Sequence, residues 1–385
     1  MKEHLFICCV SLLIALTVAS ILNPQLVYLS YRKDLTDKPN YRKLQHSPVP
    51  ILGGMSVFLG TVISTLFLNF WMNVNELYMI IVSLMIMFFV GFLDDLIDLR
   101  VRTKFMFQIG VTLLLWYNGF QINTLAGAFG IYQISKWISL VLSVLTGVGL
   151  MNAINMIDGV DGLSSGFGIT TSSICGLYFF LHRDFLFSTF ACIFIGALIP
   201  FFLSNVFCRK YKMFIGDSGS LVMGTVAYIF VCRILQLPKL FFIDQYKVAM
   251  AFAIFAIPVT DTIRVMTMRA LHHHSPFLPD KTHLHHILVA LRLPHLAITL
   301  LELSMAAFIF FVGWGCSSLF GLSTTCQCLI TISVAIVVSW GTYCILSLFH
   351  DHNPKQFDCF GIAIIHKTHW LVLFRKKIQK LIERR

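Results

Sequence analysis

Apolar runs long enough to cross a bilayer recur along almost the whole chain, and no other feature constrains the fold as tightly. A helix of about 20 apolar residues spans the hydrocarbon core, and only helices or closed barrels satisfy their own backbone there. The runs fall roughly at 5–29, 51–70, 77–93, 105–117, 137–154, 163–181, 185–204, 219–235, 247–264, 295–320 and 326–349. They predict an all-α polytopic integral membrane protein with about 11 transmembrane helices. The fourth run is short and Tyr117–Trp137 after it is ambiguous, which makes ten the alternative count.

Composition agrees. Of 385 residues 57% are hydrophobic and 12% charged, against about 25% charged in a soluble domain. That much apolar surface exceeds what one soluble core hides, and the 36 Phe suit lipid-facing positions. The 11 cysteines form no CxxC pair and read as small hydrophobes rather than a disulfide frame or zinc site. Met1 to Ser20 imitates a signal peptide, but the run continues to Leu29, so an uncleaved first helix is expected. A single transmembrane domain over 1–349 is expected, followed by a basic cytoplasmic tail over 350–385.

The loops alternate in charge. Those after the odd-numbered runs, with the C-terminal tail, carry 23 of the 29 Lys and Arg. Lys2, Lys136, Arg183, Arg233, Lys239 and Lys247 fall on the other side. The positive-inside rule then places the N-terminus outside and the C-terminus in the cytoplasm. The formal net charge of +11 needs no nucleic acid to explain it; a basic face meets anionic headgroups.

Five polar stretches lie on the odd-numbered loops. Asp94-Asp95-Leu96-Ile97-Asp98 ends the third run, and if helical it stacks Asp94 on Asp98 at i, i+4. Three acids so close call for a shared cation or proton; their plainer role is a solvated helix end facing Arg100, Arg102 and Lys104. Next comes Asn152-Ala153-Ile154-Asn155-Met156-Ile157-Asp158-Gly159-Val160-Asp161-Gly162, in which Asn152, Asn155 and Asp158 recur every three residues. Such oxygens suit a hard cation such as Mg²⁺, or hydrogen bonds to a base and ribose. In Gly216-Asp217-Ser218-Gly219-Ser220, Ser218 or Ser220 is a natural helix cap, and the free N–H groups of the helix start would welcome phosphate. Asp217 is placed for a bridging metal. His283-Leu284-His285-His286 offers metal ligands or phosphate donors, without the spacing of a zinc site. The first loop, Asp37 through Lys38, Pro39, Arg42, Lys43 and His46 to Gly53-Gly54, fits a firm phosphate-contacting loop or a basic anchor.

In their order and sidedness, DDLID, NAINMIDGVDGL, GDSGS, HLHH and the DKPNYRK…PVPILGG loop resemble the polyprenyl-phosphate N-acetylhexosamine-1-phosphate transferase superfamily (glycosyltransferase family 4), in its bacterial undecaprenyl-phosphate N-acetylglucosaminyl branch. The motifs cover Asp37 to His286. The resemblance implies an enzyme in which undecaprenyl phosphate attacks a UDP-N-acetylamino sugar and releases UMP. Mg²⁺, or Mn²⁺ in its place, would neutralise charge. By motif, Asp217 and Asn155 resemble the metal ligands, and Asp94 and Asp95, with Asp98, resemble the catalytic acids. Lys104 resembles the lysine on the lipid phosphate. Asn152, Asp158 and Asp161 match positions around the nucleotide sugar, and His283, His285 and His286 match the histidine motif. His286 is followed by Ile287-Leu288, which argues against UDP-MurNAc-pentapeptide and for UDP-GlcNAc. A multi-pass protein of the bacterial inner (plasma) membrane is implied, starting a cell-envelope polysaccharide such as O-antigen or teichoic acid; a homodimer is compatible with it.

Two other classes compete. An intramembrane prenyltransferase needs two comparable aspartate-rich motifs, and only DDLID fits. A cation-coupled transporter needs charge near the midplane, often at broken helices; Glu302 reads as the only acid clearly inside a run.

Overall fold

The computed structural model describes residues 2–37, 48–208, 210–240, 242–273, 275 and 282–349. The tail expected over 350–385 and the Lys38–His46 part of the first loop lie outside the described residues.

Every apolar run forms helix. In chain order the helices are α1 (Lys2–Arg32), α2 (Gly53–Leu68), α3 (Asn75–Ile97), α4 (Val101–Tyr117), α5 (Lys136–Met156), α6 (Leu163–Leu181), α7 (Phe185–Phe207), α8 (Gly216–Gln236), α9 (Lys247–Ala253), α10 (Ala256–Leu271), α11 (Leu284–Ala290), α12 (His295–Phe320) and α13 (Thr324–Phe349). Strands β1 (Thr36–Asp37) and β2 (Val49–Pro50) close the first loop as an antiparallel pair, Thr36 opposite Pro50. Side chains such as Phe308, Phe311 and Leu319 on α12 stand exposed around the outside, as lipid-facing side chains do. This is an all-α, multi-pass membrane protein.

Against the eleven expected spans, seven helices among the described residues are long and apolar enough to cross a membrane: α1, α3, α5, α7, α8, α12 and α13. The run at 247–264 is not one straight helix. It breaks at Ile254–Phe255, and the two parts meet at 49°; counted as one span they make an eighth. The remaining runs became α2, α4 and α6, of which α2 and α4 have only 16 and 17 residues. The ambiguous stretch after α4 is neither span nor helix apart from a 3-10 turn at Ala128–Gly130. It folds back on itself through Thr124 Oγ1 to Tyr132 O (2.6 Å) and Ile134 N to Asn123 O (2.9 Å).

Burial ranks the helices. The apolar window of α8 is 94% buried, against 22% for α1 and α13, so α8 is the axis around which α2, α3, α5, α6 and α9 pack. The motif Gly216–Ser220 opens this central helix, so whatever fixes the N-terminus of α8 fixes the site. The other end of the bundle is tied separately. Arg233 Nε donates to Asp184 (2.6 Å), Lys239 Nζ to Ala126 O (3.0 Å), and Asp244 accepts from Tyr178 Oη (2.7 Å). Arg233 and Lys239, two of the basic residues expected on the second side, thus lie at the end of α8 away from the Gly216–Ser220 motif.

Candidate active site

The start of α8 is built by close backbone approach. Gly53 and Gly54 donate their N–H groups to Phe214 O (3.0 Å) and Ile215 O (2.9 Å), and Phe214 N returns a bond to Pro50 O (2.8 Å). The glycine pair of the first loop, expected against phosphate, therefore packs the Gly216–Ser220 turn. Gly216 has φ +69°, a left-handed conformation that a side chain disfavours. At Gly91 on α3 a Cβ would stand 2.4 Å from Asp217 O, which explains how α3 and α8 come so near.

That approach brings Asp95 onto the helix start. Its Oδ1 accepts from Asp217 N (2.8 Å) and its Oδ2 from Ser218 N (3.1 Å). The expectation of a serine cap is corrected here: neither Ser218 nor Ser220 caps α8, because a carboxylate from α3 reaches two of the orphan N–H groups first. Those two groups are therefore engaged rather than open to phosphate. The stacking of Asp94 on Asp98 is corrected as well. The helix ends at Ile97 and Asp98 turns left-handed, with φ +49°, into solvent. Asp94 is buried and accepts from Leu99 N (2.8 Å).

Lys104 projects from α4 between two acids, touching Asp94 and donating to Asp217 Oδ2 at 2.7 Å. Asn155 Nδ2 reaches Asp217 Oδ1 (2.9 Å) and Ser220 Oγ (2.8 Å). The two expected metal ligands are adjacent, and Lys104 neutralises the same carboxylate. Asn152 goes elsewhere, exchanging amide bonds with Gln108 of α4 (Nδ2 to Oε1, 2.8 Å); Lys104 and Asn155 meet Asp217 from behind the cleft wall, and none of these three side chains is part of the cleft lining. The three-residue repeat fails because α5 stops at Met156, leaving Asp158 in the turn beyond it.

A cleft of about 710 Å³ opens beside these groups. Asp94, Asp95, Asp98, Asp158, Asp161, Asp217 and His286 all line it, together with Asp37, Asn205, Lys212 and His295. Asp158 accepts from Ser164 Oγ (2.6 Å), and burial pushes its carboxyl up to about 7 despite that bond. Asp161 differs. Burial raises its carboxyl too, but hydrogen bonds from His295 (2.8 Å) and Lys212 (2.6 Å) outweigh it and hold the group below its ordinary value.

The histidines divide. His283 Nδ1 meets Asp261 Oδ2 at 2.8 Å, His285 is buried, and of the three only His286 reaches the cleft. Burial first, then the neighbouring His286 and His283, hold His285 well below its usual value. Among the described residues no three His, Cys, Asp or Glu side chains gather as a metal site.

Sequence reasoning missed Lys212, His295, Asn205 and Asp261. Asn205 buckles two loops, accepting from Gly162 N (2.7 Å) and donating to Met213 O (2.8 Å). Asp261 lies inside the 247–264 run, so Glu302 is not the only acid within a run. An isolated acid in an apolar helix was the signal available.

The architecture and the cleft define a class: a multi-pass membrane protein whose acids and amides converge at one end of the helix bundle. The profile of glycosyl transferase family 4 matches residues 77–235, which include Asp94, Lys104, Asn155 and Asp217. A protein of Yersinia pestis named undecaprenyl-phosphate alpha-N-acetylglucosaminyl 1-phosphate transferase is 31% identical over 260 residues, 66% of this chain and 69% of that one. Its namesake in Escherichia coli (strain K12) is 27% identical over 259 residues, with the same shares. A protein of Bacillus subtilis (strain 168), named probable undecaprenyl-phosphate N-acetylglucosaminyl 1-phosphate transferase, is 27% identical over 311 residues, 80% of this chain and 85% of that one. This chain belongs to glycosyl transferase family 4.

Proposed function

We propose that this protein transfers N-acetylglucosamine 1-phosphate from UDP-N-acetylglucosamine to undecaprenyl phosphate at the bacterial inner membrane, releasing UMP. An oxygen of the lipid phosphate attacks the sugar-linked phosphorus, and the bond from that phosphorus to the UMP oxygen breaks. The relatives' names supply the acceptor and the transferred group. The observation that carries the reading is the cleft, where seven aspartates, Lys104's partners among them, face one space beside the start of α8.

The residues fit a magnesium ion. Mg²⁺ prefers hard oxygens and is held by one or two carboxylates plus substrate phosphates, so a three-acid cage is not required. Asp217 and the amide oxygen of Asn155 would hold it, and Asp94 already shares one cation with Asp217 in the form of Lys104. When bound, the ion would neutralise charge on the diphosphate. Asp95 positions Asp217 through the two backbone bonds rather than meeting substrate itself. Lys104 sits at the first turn of α4, a place from which a lysine can lay its stem along apolar surface and hold its ammonium at headgroup level. On acceptor binding it turns from Asp94 to the lipid phosphate. His286 and Lys212 line the same cleft and would face the donor's phosphates and sugar, and the buried Asp158 and the clamped Asp161 shape the loop between Asn155 and α6. Glu302 and the broken α9–α10 pair would suit a transporter, but the acids of this cleft gather at one end of the bundle.

The test is UMP release by purified protein supplied with undecaprenyl phosphate, UDP-N-acetylglucosamine and Mg²⁺. Release that needs all three, and that Asp217→Asn abolishes while the protein stays folded, supports the reading. Full activity of Asp217→Asn at limiting Mg²⁺ overturns the metal assignment.

A further inference from the structure

The buried ion pair of Asp261 and Arg264 on α10 lies outside the cleft lining, and the proposed reaction has not used it. Both side chains are about 4% exposed. Charge buried within an apolar helix is costly and persists where a function holds it.

The polar contacts of this pair lead to the histidine segment. Arg264 places Nε (3.1 Å) and Nη2 (2.7 Å) on Asp261 Oδ1, and Nη2 also donates to Thr282 O (2.6 Å). Asp261 Oδ2 takes the ring of His283 (2.8 Å), and the carboxylate accepts the first N–H of α11, from Leu284, at 3.2 and 3.3 Å. The guanidinium lies 3.4 Å from the centre of the Tyr343 ring, which braces it from α13. The seven-residue α11 has no side-chain cap of its own, and a helix so short does not hold its shape unaided. Asp261 supplies the missing acceptor. The next histidines along the chain are thereby placed: His285 is buried against the active-site turn, where a Cβ on Gly159 would come within 2.9 Å of its Nε2, and His286 emerges in the cleft.

We propose that Asp261, braced by Arg264, is a positioning residue for the transferase: it fixes the start of α11 and thereby sets His286 against the donor. The inference rests on the proposed function for the role of His286, though not for the clamp itself. A merely structural pair would lower the yield of folded protein and leave the kinetics per folded molecule alone. A positioning residue instead acts on one substrate and through one partner.

The experiment is a double-mutant cycle on purified full-length protein, with Asp261→Asn and His286→Ala singly and together. Asp261→Asn is expected to raise KM for the UDP-sugar roughly tenfold while changing KM for undecaprenyl phosphate less than about twofold. In the His286→Ala background the same change should have less than about a twofold effect, as for residues acting as one unit. Arg264→Lys, which keeps the charge and loses the fork, should give the same pattern at smaller amplitude. It serves if Asp261→Asn does not fold. Diethyl pyrocarbonate labelling of resting protein, mapped by mass spectrometry, tests the clamp without turnover. His286 should label and His283 and His285 stay protected, with protection lost in either variant. Additive kinetic losses, or equal KM changes for both substrates, would overturn the positioning role, and unchanged protection of His283 and His285 would overturn the clamp. Wild-type protein that releases no UMP from any UDP-sugar would instead remove the proposed function, leaving the labelling result to stand alone.

Discussion

Replacing Asp95 separates a base that touches substrate from a group that holds the catalytic helix in place. Its two oxygens take the N–H groups of Asp217 and Ser218 at 2.8 and 3.1 Å. Asp95→Ala leaves both donors without that acceptor in a half-buried place. Each orphaned donor costs about 1–3 kcal/mol, and loss of a helix cap costs about 0.5–2 kcal/mol. Because these figures describe the same bonds, a total of roughly 2–4 kcal/mol is expected. Asp95→Asn keeps one acceptor oxygen, so it should lose about half as much. The assay pairs thermal unfolding in detergent with steady-state UMP release. The midpoint should fall by several degrees in Asp95→Ala and less in Asp95→Asn, with turnover falling in the same order. An Asp95→Asn protein with an unchanged midpoint and a turnover as low as that of Asp95→Ala would refute the capping argument and restore Asp95 as a reacting group.

Three further outcomes are expected. Lys104→Ala should raise KM for undecaprenyl phosphate roughly ten- to a hundred-fold, the worth of a lost charge-assisted contact of about 1.5–3 kcal/mol, with a small change for the UDP-sugar; an unchanged lipid KM would leave Lys104 as an anchor. Asp161 is held below its ordinary value by its hydrogen bonds to His295 and Lys212. Its carboxylate therefore stabilises the fold above the unfolded pKa, and this contribution is lost as pH falls through the folded one. Wild type should exceed Asp161→Asn in unfolding midpoint at neutral pH, the gap closing below about pH 4; a gap independent of pH would contradict the clamp. A reporter active only in the cytoplasm should work when fused after Arg385, as the distribution of basic residues requires; activity of a periplasmic reporter there would invert the topology.

Bulk apolarity made the fold class legible, because a run of 20 or so apolar residues has few destinations besides a bilayer helix. Hydropathy did not reveal that the ninth run breaks at Ile254–Phe255, since nothing in an apolar composition marks a 49° bend. The site was legible where polar residues cluster: Asp94, Asp95, Asp158, Asp161, Asp217 and His286 share one cleft. It was illegible where one residue acts across the chain. Lys212 and His295 converge on Asp161 from two other segments, and Asp261 organises a histidine motif that begins 22 residues later. Local spacing also misled at helix ends. Asp98 and Asp158 keep helical intervals in sequence, but α3 and α5 stop before reaching them. Asn152, in phase with Asn155, is drawn instead to Gln108.

The central claim is tested most directly by the identity of the lipid product. Purified protein is incubated with undecaprenyl phosphate, Mg²⁺ and a panel of UDP-sugars, and the lipid extract is weighed by mass spectrometry. The account predicts undecaprenyl diphosphate N-acetylglucosamine, formed in step with UMP and from UDP-N-acetylglucosamine ahead of the other donors. An acceptor recovered unchanged with every donor, by protein shown to be folded, would contradict it.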